Sequence, residues 1–174
     1  NTGYNNQTMD VTLTLIPKGA SDDTSVSKVT VDGQEVKKMI TNGANITVKL
    51  PSGTGLPTDA SQITITPTDP AAVASTPTTT DSGKTWTFTV TAEDGQTQTV
   101  YPLRVLPAYT VTVTSDDGEG SVTIEGAQEG SAWEGDTITL TATPNDGYVF
   151  DRWEVTEGGV TIENNTFAMP AKNV

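Results

Sequence analysis

Asp136 to Trp153 reads DTITLTATPNDGYVFDRW, and its first half has the clearest periodicity in the chain. Ile138, Leu140 and Ala142 alternate with Thr137, Thr139, Thr141 and Thr143. That period of two puts an apolar row on one face and hydroxyls on the other, the pattern of a half-buried β-strand. Pro144, Asn145, Asp146 and Gly147 end it, because proline cannot donate to a ladder and Asp-Gly adopts tight turns readily. The pattern predicts a hairpin whose return strand brings Tyr148, Phe150 and Trp153 back to the same small core.

The same alternation recurs upstream. Trp86, Phe88, Val90 and Ala92 oppose Thr85, Thr87, Thr89 and Thr91; Ala92-Glu93-Asp94-Gly95 turns the chain, and Tyr101, Leu103 and Val105 share a face of the return strand. Pro102 interrupts that strand, which places it at an edge or a bulge. Val26–Val31, Glu35–Ile40, Ile46–Leu50 and Ile63–Thr66 read as shorter strands, with hairpin signals at Asp32-Gly33 and Asn42-Gly43. Met9–Ile16 reads as a leading strand, Ala71–Thr80 as an aperiodic loop, and Tyr109–Thr114 and Ser121–Glu125 as further strands. No long helix is signalled.

Composition agrees. Hydrophobic residues make up 33% of the chain, and 34 threonines fill the deficit. Threonine is β-branched and wettable, suited to the solvent face of strands. A length of 174 residues admits two small domains. The expected division is 1–107, with 1–25 a leading strand and linker, and 108–174, joined at Leu106-Pro107-Ala108. The fold class expected is all-β: an antiparallel immunoglobulin- or cadherin-like sandwich followed by a small, β-grasp-like module.

Charge is uneven. Residues 108–174 hold 12 acidic and 2 basic side chains, net −10, whereas 1–107 hold 10 and 7, net −3. Such a surface repels phosphate backbones, so nucleic acid is excluded as a partner. With neither cysteine nor histidine, the chain lacks thiol and imidazole chemistry and the common zinc and copper sites. No apolar run of about 20 residues is present to insert in a membrane. The start NTGYNN, without a Met or signal peptide, reads as a mature or excised fragment.

The stretch 136–153, with NTFAMPAKNV at 165–174, resembles the divergent form of the internalin B-type repeat of surface and secreted proteins in Gram-positive bacteria and their relatives. The resemblance rests on Gly147, Tyr148, Phe150 and Trp153, then Met169-Pro170-Ala171. Family members usually continue into a closing strand of alternating Val and Thr, so a module stopping at Val174 is expected to lack its last strand. Its open edge would then allow edge-strand dimers. Upstream, Val29–Val36, Ile46–Leu56 and Val90–Val105 are similar to bacterial cadherin-like and immunoglobulin-like sandwich modules. These resemblances imply an extracellular location, on the bacterial surface or secreted.

Candidate chemistry is sparse. Asp116, Asp117 and Glu119 offer the oxygens that calcium takes, although their spacing is not that of an EF-hand and Asp-Gly alone makes turns. Asp22 with Asp23 is a weaker version. Trp133, in the polar stretch GAQEGSAWEGD, is the candidate for stacking on a sugar ring; sealing a core edge is its alternative role. Trp86 and Trp153 have apolar neighbours and read as core. The pairs Glu129/Glu134 and Asp151/Glu154 could in principle serve a glycosidase but read as solvated surface. Lys28 and Lys49 would need burial beside a carboxylate to form an isopeptide bond, and nothing marks such a triad. The sequons at Asn6, Asn45 and Asn164 occur by chance in a chain rich in Thr and Asn.

The expected function is therefore non-catalytic and cofactor-free: adhesion or surface interaction with a protein or glycan, alongside neighbouring modules of the same chain. The alternatives are a carbohydrate-binding accessory module and a pure spacer.

Overall fold

A computed structural model describes Leu13, Leu15, residues 19–115 and residues 119–174. The expected leading strand Met9–Ile16 falls outside these residues, except for Leu13 and Leu15, which are exposed. The described chain is all-β, with a single turn of 3-10 helix at Ala60–Gln62 capped by Asp59.

The first half is a β-sandwich. One sheet is formed by β1 (Val26–Val31) between β2 (Gln34–Ile40) and β4 (Ile63–Pro67), both antiparallel to it. The β1–β2 turn uses Asp32 at φ 45° and Gly33 at φ 82°, the left-handed pair that a two-residue hairpin loop requires. The second sheet runs β3 (Ile46–Lys49), β8 (Gln98–Leu106), β7 (Thr85–Thr91), β5 (Val73–Ala74), with β6 (Thr78–Thr79) also on β7. Strands β5 and β6 lie within the segment expected to be loop. At two residues each they are too short to show a period.

The two sheets close over one core. Val26, Val29 and Val31 face Ile46, Val48, Trp86, Phe88, Val90, Tyr101, Leu103 and Val105, all buried. The expected apolar face of the β7–β8 hairpin is therefore the one that packs. Phe88 and Tyr101 pair directly across the strands with ring centroids 5.5 Å apart, and burying side chains of this size stabilises the fold by about 1.5 to 3 kcal/mol each. The Tyr101 hydroxyl donates to the Thr24 carbonyl at 2.9 Å, and the Trp86 indole N–H donates to the Gly83 carbonyl at 3.0 Å.

One ladder is parallel: β3 pairs with β8 from Ile46↔Leu103 to Lys49↔Leu106. Pro102 lies one residue before this pairing begins. The Val105 N–H points towards β7, bonding the Lys84 carbonyl, so by alternation position 102 faces the β3 side. Proline there removes nothing from the β7–β8 ladder.

After Pro107 the second half begins with β9 (Ala108–Thr110), which pairs with β11 (Ser131–Trp133). A second sheet runs β10 (Gly120–Glu125), β12 (Thr137–Pro144), β13 (Thr166–Ala168). Val111, Ala132, Ile138, Leu140, Phe167 and Met169 form a separate core. Met169 is anchored on both sides: its N–H donates to the Asp136 carbonyl at 2.8 Å, and its carbonyl accepts from the Gly135 N–H at 2.9 Å. Val174 exchanges backbone bonds with Thr110 and Thr112.

The strand expected at 136–143 forms as β12, with Ile138 and Leu140 inside and the turn closed by the Tyr148 N–H donating to the Asn145 carbonyl. The expected return strand does not form. Residues 148–155 carry no strand, and Tyr148 and Phe150, expected in the core, are 50% and 44% exposed. The reason lies in the spacing. An extended chain would put Phe150 and Trp153 on opposite faces, yet their rings meet at 4.9 Å. Trp153 donates from its indole N–H to Asn165 Oδ1 at 2.9 Å, tying the segment to the turn before β13.

Candidate interaction surfaces

Among the described residues two places gather unusual side chains. The first is the junction between the two cores. The chain passes from β8 through Pro107 into β9, and residues remote in sequence brace the crossing. The Trp133 indole N–H donates to the Leu50 carbonyl at 2.7 Å. Lys49 Nζ sits 4.6 Å from the centre of the Trp133 ring and reaches both Asp136 carboxylate oxygens, at 2.8 and 3.0 Å. Asp136 Oδ2 also accepts from the Trp133 backbone N–H. Arg104 on β8 pairs with Glu134 at 3.0 Å. Trp133 is thus half-buried, with its polar edge committed to the first core and a cation over its face.

The second is a groove of about 660 Å³ against the second core. Its floor is apolar, formed by Val111, Leu140, Ala142 and Phe167, and one wall is the non-strand segment 148–157. Tyr148, Phe150 and the 89% exposed Val149 stand along that wall. Glu119, Asp151, Glu154 and Glu157 are the acids among its lining residues, against a single base, Arg152, which pairs with Asp151. One edge of β12 is incomplete here. β13 covers only Thr137–Thr139, and the Leu140 N–H donates to the Asn165 carbonyl. By alternation the next rung on that side, the N–H and C=O of Ala142, opens towards the groove without a strand partner among the described residues.

The remaining candidates are dispersed. Asp116 and Asp117 lie outside the described residues; Glu119 is exposed, and its carbonyl accepts from the Asn145 N–H. Among the described residues no group of three carboxylates is arranged to hold a metal ion. Asp23 caps its own turn through the Ser25 N–H at 2.7 Å. Glu134 is taken up by Arg104 and Asp151 by Arg152, while Lys28 and Lys49 are part-exposed and paired with Glu35 and Asp136. Reading the sequence singled out Trp133, and Lys49 only as an isopeptide candidate; it did not bring Leu50, Lys49 or Arg104 to Trp133. An ordinary surface lysine 87 residues from its partner leaves no local signal.

Residues 109–174 match the family model of the divergent InlB B-repeat domain, a repeat typical of bacterial surface proteins. No curated protein and no solved structure matches the chain. No helix among the described residues is long and apolar enough to cross a membrane.

Proposed function

We propose that this chain is a non-catalytic extracellular segment of a bacterial surface protein, acting in adhesion or surface interaction. In this reading, a cadherin- or immunoglobulin-like sandwich spanning 1–107 carries and orients the interaction module at 108–174. The observation that carries the proposal is the family match over residues 109–174. The braced junction supports the division of labour, because a fixed orientation lowers the ordering cost of presenting a binding face. The test is binding of the purified chain to an array of extracellular-matrix proteins and glycans, with and without calcium. Saturable binding to a protein supports adhesion. Silence across the array favours a spacer and sinks the proposal.

A carbohydrate-binding role is the second reading, and the exposed rings of Tyr148 and Phe150 favour it. Aromatic faces can stack on a pyranose, but the platform would then lie at 148–153 and not at Trp133. A glycan hit abolished by Tyr148→Ala and retained in Trp133→Phe would establish that version.

A further inference from the structure

We infer that the groove beside β12 binds an extended cationic segment of a partner protein, which adds as a strand to the open edge at Ala142. The inference rests on the interaction reading above and deepens it by naming the site and the chemistry of the partner. Three features converge. Among the described residues Ala142 presents an unpaired ladder rung, and strand addition is satisfied by any peptide backbone. Beneath that rung, Leu140, Phe167 and Val111 form an apolar floor for alternate side chains of the incoming strand. The volume of about 660 Å³ lies within the roughly 300 to 1,000 Å³ of ordinary ligand sites.

Charge selects the occupant. Glu119, Asp151, Glu154 and Glu157 outnumber Arg152 along the lining, and the whole module carries net −10. A strand with Lys or Arg on its outward face meets complementary potential, which raises its association rate and rejects acidic competitors. A second copy of this chain, at −13, brings like charge to the same edge. Tyr148 and Phe150 flank the groove where they can cover the methylene stems of the incoming lysines.

The test uses the full chain and a fluorescein-labelled alternating Lys-Val octapeptide, read by fluorescence anisotropy. Controls are the Glu-Val analogue and a Lys-Val peptide N-methylated at alternate residues, which keeps its charge but loses the donors that a ladder needs. Saturable binding of Lys-Val is expected, weakened at least tenfold by N-methylation and at least tenfold by the exposed double reversal Glu154→Lys/Glu157→Lys. Ala142→Pro, which removes the N–H facing the groove and spares the β10 ladder, should weaken it similarly. Equal affinity for the methylated peptide, or binding indifferent to these variants, would show plain ionic attraction and overturn the inference. So would a dimer that the groove variants abolish, or a glycan hit that they remove. If the array yields a protein partner that every groove variant still binds, the groove assignment fails while the adhesion reading stands.

Discussion

Trp133 donates its indole N–H to the carbonyl of Leu50, 83 residues earlier, at 2.7 Å. This bond joins the second core to the first beside a one-proline connection. Trp133→Phe leaves the Leu50 carbonyl without that donor in a part-buried place, at a cost of about 1 to 2 kcal/mol. Thermal unfolding should shift down by several degrees, and small-angle scattering should report a broader distribution of module orientations. Unchanged unfolding and scattering, together with lost glycan binding, would mean that the ring works as a sugar platform.

The Lys49–Asp136 pair is partly solvated, so its own contribution is small, on the order of 0 to 1 kcal/mol. Lys49 also lies over the Trp133 ring, so the two side chains should couple. A cycle of Lys49→Met, Trp133→Phe and the double variant is expected to be non-additive by about 0.5 kcal/mol or more. Strict additivity in urea unfolding would mean that the ring and the ammonium act independently.

Two glycines separate the modules experimentally. A Cβ on Gly83 would stand 2.2 Å from the Pro57 carbonyl oxygen, and one on Gly126 2.1 Å from that of Thr137; both residues have φ near +90°. Alanine at either clashes with backbone and is strained in addition, so each should destabilise its own module by more than about 1 kcal/mol. If 1–107 and 108–174 fold as distinct units, Gly83→Ala should move the signal of buried Trp86, and Gly126→Ala that of Trp153. A single transition, shifted equally by both, would defeat the two-domain division.

Acid should loosen the sandwich through its turns. The hydroxyl and amide of Thr97, with the amide of Gln96, hold the Asp94 carboxyl below its ordinary value of 3.8; the Thr85 amide does the same for Asp81, and Ser61 for Asp59. Because these folded-state values are depressed, their stabilisation is present above the ordinary value and lost as pH falls through the folded ones. Burial pushes the Tyr101 hydroxyl up from 10.0, so the opposite limit is alkaline, where stability falls as pH rises past the ordinary value. Asp94→Asn should flatten the decline of stability below about pH 4. An acid profile identical to that of the parent chain would show that this turn does not set it.

Much of the sandwich was legible because its strands are long enough to show a period. Trp86, Phe88 and Val90 against Tyr101, Leu103 and Val105 is such a case, and Asp32-Gly33 names its own turn. The parallel β3–β8 ladder was hidden, since register between residues 57 apart, as Ile46 and Leu103 are, has no local signature. Strands β5, β6 and β11 have two or three residues each, below any detectable alternation. At 148–153 the aromatic spacing suggested a strand, but a three-residue step from Phe150 to Trp153 fits two rings in contact better than two rows of a sheet. The polar neighbours of Trp133 answer charges beside the first core, Asp136 with Lys49 and Glu134 with Arg104, partners too remote in sequence to be read from the stretch itself.

Strand β8 is the part of the sandwich that leads directly into the junction; β7 holds it over Gln98–Arg104 and β3 over Leu103–Leu106. A pull applied through Pro107 acts along those ladders, so many rungs must slide together before any yields. Tension arriving through Pro107 therefore loads strand pairing in shear and does not peel it one rung at a time.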